Sequence, residues 1–176
     1  MRILTACLAS LVLTLTIPAL AAAPKKAAPA AAPPADTAPK EIGQFHNWIA
    51  ATHTESGHPT CYAFTRAGNE NPATGSGPIL SITDRPSGRD QVAISGGPTY
   101  PKDATLTVQV DQAGLDFYTA GRDAFARDNK AAVAAFQRGS LAVAKAPGPH
   151  GPTTLSFNLD GFSAAHDAIE KACPAH

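Results

Sequence analysis

A chain of 176 residues with 14 basic and 14 acidic side chains has room for one domain and an appendage, not for two cooperating domains. At 44% hydrophobic and 16% charged it holds enough apolar material for one core, which excludes a wholly disordered polymer and a coiled coil. A net charge of zero argues against a nucleic-acid partner, and three cysteines without a CxxC spacing exclude a knottin scaffold and a zinc knuckle.

The first element is an address. Met1 and Arg2 open a short positive start, Ile3 to Ile17 is an apolar run interrupted only by Thr and Ser, and Ala19-Leu20-Ala21 follows as a small-x-small cleavage pattern. Residues 1–21 therefore read as a secretory signal peptide cleaved after Ala21, with an uncleaved N-terminal anchor as the alternative. The run falls short of the roughly 20 residues a membrane span needs, and no later stretch reaches that length, so no transmembrane domain is expected after cleavage. Leu4-Thr5-Ala6-Cys7 has the letters of a lipoprotein box but lacks the apolar helix that must precede the acylated cysteine. Cleavage removes Arg2 and Cys7, leaving 13 basic against 14 acidic side chains and two cysteines, Cys61 and Cys173. Outside the reducing interior two such thiols are expected to pair.

Residues 22–40 collapse to Ala and Pro, with Pro24, Pro29, Pro33, Pro34 and Pro39 among nine alanines. Proline forbids a long helix and alanine supplies no core, so this is a disordered, partly polyproline II spacer. Residues 41–176 form the single β-rich globular domain. Phe45 to Ala51, Thr60 to Thr65, Ile79 to Thr83, Gln91 to Ser95, Thr105 to Val110, Leu115 to Tyr118, Leu141 to Ala144 and Thr153 to Leu159 read as strands between Gly, Pro, Asn and Asp clusters. Alternation such as Leu106, Val108, Val110 against Thr105, Thr107, Gln109 means one buried and one wet face, which antiparallel sheets permit. The class is mainly β: an antiparallel sandwich or open barrel with two short helices, the second C-terminal. Asp128 caps the first helix, which carries Ala132, Val133 and Phe136 and ends at a left-handed Gly139. The second opens near Asp160 to Ser163, aligns Phe162, His166, Ile169 and Cys173, and stops at Pro174. A bridge from Cys173 to Cys61 would fasten this helix across the sheet.

The order of an exported leader, Phe45-His46-Asn47-Trp48, the strand cysteine Cys61-Tyr62, the turn Arg85-Pro86-Ser87-Gly88 and a final Gly-Phe-Ser-Ala-Ala-x-x-Ala-Ile helix resembles the invasion-associated locus B family of Gram-negative bacteria. The resemblance covers roughly residues 44 to 173. It implies a periplasmic or surface-associated, non-enzymatic β-rich protein linked to host-cell entry or envelope stress, and it carries over no catalytic residue.

His46, His53 and His58 lie close in sequence, but no Cys or Asp completes a familiar ligand spacing, so neither a metal nor a cofactor is expected. Asp84, Arg85, Arg89 and Asp90 surround a hairpin loop, the best binding candidate: the two arginines could clamp a carboxylate or phosphate, unless the two aspartates already neutralise them. Arg122-Asp123 with Arg127-Asp128 reads as solvated surface. No Gly-x-Ser-x-Gly elbow and no Gly-rich dinucleotide loop is present. Tyr62, Phe64, Phe117 and Tyr118 could stack on sugar rings or a partner, though core is the commoner role, and Trp48 is expected to pack on the bridge. The function expected is an exported binding or accessory protein, without catalytic residues, that meets an unknown protein or an envelope or host ligand in the periplasm or at the cell surface. The alternatives are an envelope glycan hydrolase using the strand-end aspartates Asp111, Asp116 and Asp160, and an envelope-stability module tethered by its leader.

Overall fold

A computed structural model describes residues 38–68, 72–148 and 151–175; the expected leader, and the spacer up to residue 37, lie outside them. Ten strands form one antiparallel sheet: β1 (Lys40–Phe45), β2 (Trp48–Glu55), β3 (His58–Arg66), β4 (Ile79–Arg85), β5 (Gly88–Ser95), β6 (Thr105–Val110), β7 (Ala113–Ala120), β8 (Asp123–Ala126), β9 (Leu141–Ala146) and β10 (Thr153–Asn158). Helix α1 (Asn129–Arg138) lies between β8 and β9, and α2 (Phe162–Ala172) follows β10. Mainly antiparallel β structure with two helices, the second C-terminal, is thus what the chain adopts. Among the described residues no helix is long and apolar enough to cross a membrane.

The sheet order is β1-β2-β3-β4-β5-β8-β7-β6-β9-β10. Five strands run as successive hairpins. The chain then crosses to β6 and returns through β7 and β8 to pair β8 with β5, and α1 carries it back to β9 beside β6. A bridge between Ala67 and Phe157, with the Gly68 N–H donating to the Ser156 carbonyl at 2.7 Å, brings the end of β3 to β10. The sheet thereby curls over its own core without closing.

Alternation decides which face is inside. In β6 Leu106, Val108 and Val110 are buried while Thr105, Thr107 and Gln109 are exposed, as the sequence pattern requires. Small inward residues, Ala50, Ala63, Ala142 and Ala144, leave space beneath the sheet for larger aromatics. Trp48 is fully buried and lies edge-on to Phe162 with ring centroids 5.0 Å apart, and Phe136 of α1 meets the same Phe162 ring at 5.4 Å. The Trp48 indole N–H donates to the Asn158 carbonyl at 3.1 Å, so its one polar atom is satisfied. Its ring partner is the helix aromatic, where the sequence suggested the bridge.

Three departures from the sequence reading have local causes. The expected strand Phe45 to Ala51 is two strands, because His46 adopts φ 50° and turns the chain between Phe45 and Trp48. Between the charged pairs Arg122-Asp123 and Arg127-Asp128, expected as solvated surface, lies an unexpected strand, β8; it is four residues long, too short to display a period, yet it sits mid-sheet with Ala124 fully buried. Gly139 ends α1 in extended rather than left-handed backbone (φ −89°), and a Cβ there would collide with Val110. Close packing, not helix-end geometry, requires that glycine.

Gly161, by contrast, does need its left-handed freedom, with φ 93° at the start of α2. A Cβ there would also run into the Phe45 carbonyl, because the helix start is pressed against the β1–β2 turn. Gly161→Ala is expected to lose about 2–4 kcal/mol, combining backbone strain with a clash that neighbouring backbone cannot relieve. Thermal melts followed by circular dichroism check this, and a melt superimposable on wild type would show that the turn does not hold the helix start.

Candidate functional site

The β4–β5 hairpin turns through Pro86 and Ser87, with Arg85 opposite Gly88, and the alternation that buries Leu80 and Ile82 of β4 also turns Asp84 inward beside Cys61. Asp84 is fully buried. One carboxylate oxygen accepts from the Arg89 guanidinium at 2.6 Å and the other from the Asp90 N–H at 2.8 Å. Arg89 also donates to the carbonyl of Cys173, just beyond the end of α2. Asp90, held at φ 54°, reaches the buried His166 of α2, Oδ1 to Nε2, at 2.8 Å. Cys173 itself is bonded to Cys61, with Cα atoms 5.9 Å apart. Hairpin, helix end and disulfide therefore form one knot.

This geometry reassigns the four charged residues. Arg89 is neutralised by Asp84, as the alternative reading had it, with the carboxylate fully buried and the guanidinium side chain partly exposed. Asp90 faces a histidine instead of an arginine. Arg85 points away and pairs with Glu55 of β2, Nε to Oε2 at 2.7 Å, and with Gln91 Oε1 at 3.0 Å. A cleft of about 390 Å³ lies over the knot, lined by Pro59, Arg85, Pro86, Arg89 and Pro174, but the Arg89 guanidinium already has its partners there.

Glu55 is held below the ordinary carboxylate range, first by the hydrogen bond from Arg85, then by that guanidinium's charge and the bond from Thr60. A depressed folded-state pKa means the pair supports the fold above the usual glutamate range and loses that support as pH falls through the lowered value. The group is exposed, so Glu55→Gln is expected to leave the neutral-pH melt nearly unchanged and to flatten slightly its decline at acid pH. Melts at a series of acid pH values read both.

The remaining candidates are scattered. His46 pairs with Asp160 at 3.3 Å, His53 lies edge-on to Tyr62, and His58 is exposed at the start of β3. Asp111 occupies the β6–β7 turn and Asp116 sits mid-strand on β7, opposite Thr107. Among the described residues the group able to hold a cation is Asp90, His166 and Glu170, with ligand atoms within 4.8 Å of one another; Asp90 uses its carboxylate on the imidazole.

A second region joins Phe64 and Tyr118, two of the aromatics considered for stacking, to Phe125, which the sequence did not single out. On the face opposite the core, register aligns Phe64, Ser81, Ala93, Phe125 and Tyr118 across β3, β4, β5, β8 and β7. Tyr118 and Phe125 stack with centroids 5.3 Å apart, and Tyr118 is 44% exposed. The exposed Arg127 places its guanidinium 5.7 Å from the Tyr118 ring centre. Phe125 escaped notice because its strand did; the alternation Asp-Ala-Phe-Ala is the signal that could have found it.

With this frame in place, the chain is similar to a crystal structure of invasion associated protein B from Bartonella henselae, with a TM-score of 0.55 and 19% identity over 74% of this chain and 95% of that one. The likeness is one of fold. No family model matches the chain, and no curated protein matches it by sequence.

Proposed function

We propose that the chain is an exported, disulfide-closed binding protein of the periplasm or cell surface of a Gram-negative bacterium, of the invasion-associated locus B type, acting in host interaction or envelope function without catalysis of its own. The observation that carries this reading is the shielded bond: Cys61 is fully buried and Cys173 is 7% exposed, a cross-link that persists in oxidising compartments and is rare in the cytosol. The leader pattern of residues 1–21 agrees with export. The charges of the β4–β5 hairpin support a recognition frame, because Asp84, Arg89 and Asp90 are engaged in holding α2. The fold shared with the Bartonella protein, whose name links it to invasion, points the same way.

Expression of the full chain in a Gram-negative host, followed by fractionation and intact-mass measurement, tests it. The expected product lies in the envelope fractions, lacks residues 1–21 and carries one disulfide. A membrane-bound product retaining residues 1–21 would favour the tethered module instead, and full-length protein in the cytosol with free thiols would overturn the proposal.

A further inference from the structure

The outward face of β4, β5, β8 and β7 carries a groove of about 360 Å³. Ser81 and Ala93, directly opposite one another, keep its floor low, and the Phe125–Tyr118 stack rises beside them as an aromatic wall. The rim is polar and underused. The Thr83 and Ser95 hydroxyls have no hydrogen-bond partner among the described residues. Gln91 and Asn129 use their carbonyl oxygens on Arg85 and on the Val92 N–H, which orients both amides and leaves their NH2 groups without an acceptor. Beyond the wall, Arg127 has no carboxylate within 4.0 Å among the described residues, whereas Arg85 and Arg89 do.

An exposed aromatic face next to short hydroxyls and amide donors is what a pyranose ring matches, with apolar C–H bonds on one side and hydroxyls around its edge. The Arg127 guanidinium over the same tyrosine, across the strand pair from the exposed Asp116 but not bridged to it, adds a planar fork that a carboxylate meets bidentately. We infer that this groove binds a carbohydrate chain bearing carboxylated sugars, stacked on Tyr118 and Phe125 and held by its carboxylate at Arg127. The inference rests on the binding-protein reading above and supplies its ligand class.

Calorimetric titration of the leaderless protein with a galacturonate tetramer, and with maltotetraose as the neutral counterpart, tests it. Binding of the uronate and weaker binding of the neutral sugar are expected. Tyr118→Ala, at an exposed position that should leave the melt intact, is expected to weaken uronate binding about tenfold. Arg127→Ala should abolish the preference for the uronate while sparing the weak neutral binding. No heat from either sugar at millimolar concentration, equal binding of the two by wild type, or indifference to Tyr118→Ala would overturn the inference. So would a dimer in light scattering that Tyr118→Ala dissolves, since the face would then be an interface between copies. None of these outcomes bears on export, which fractionation reads separately, and a cytosolic, reduced protein would sink the export reading without changing the titration.

Discussion

Replacing Cys61 and Cys173 together by alanine is expected to lower the melting temperature by roughly 12–25 °C. The bond joins residues 112 apart, and loop-closure entropy for a loop of that size is worth about 4–5 kcal/mol. In a domain of this length each kcal/mol moves the midpoint by about 3–5 °C. The loss should fall first on α2, which has no side-chain cap at its start and owes its place to Phe162, Ala165, His166, Ile169 and the bond beyond its end. Its amides should lose hydrogen-exchange protection before those of β6 and β7. Calorimetry of wild type, the variant and dithiothreitol-treated wild type reads the effect. A variant melting within a degree or two of wild type would show that packing alone holds the helix.

Removing one carboxylate should cost somewhat less. Asp84→Ala strips the partly exposed Arg89 head group of its counter-charge and the Asp90 N–H of its acceptor; because water can reach the guanidinium, the loss is expected at about 2–4 kcal/mol, below the full cost of breaking a buried pair. Arg89 would also lose the contact that aims it at the Cys173 carbonyl, so hairpin and helix end should loosen together. Arg85→Ala, four residues from Arg89 in the same turn, breaks only the exposed contacts with Glu55 and Gln91 and is expected to leave the urea midpoint within replicate error. Urea denaturation of the two variants side by side decides the point, and equal losses would mean that the two arginine pairs are not energetically distinct.

That contrast shows where reading a sequence stops. Strands such as β6 are legible because every second residue meets the core, and α1 and α2 because their apolar residues recur at helical spacing. The turn at His46 and Asn47 is not, since it depends on a positive φ in a residue that gives no glycine-like signal. Arg85 and Arg89 look alike on paper and are similarly exposed, at 35% and 29%; what separates them is the partner, the exposed Glu55 for one and the fully buried Asp84 for the other. The Tyr118–Phe125 wall was hidden for a different reason. Its two aromatics lie on neighbouring strands, and only the pairing of β7 with a four-residue β8 brings them face to face.

The most direct test is differential alkylation of the protein taken from the cells that make it natively, with thiols blocked at lysis and peptides mapped before and after reduction. Cys61 and Cys173 are expected to resist the first reagent, to appear as one cross-linked pair, and to take up label only once reduced. Quantitative labelling of both before reduction would contradict it.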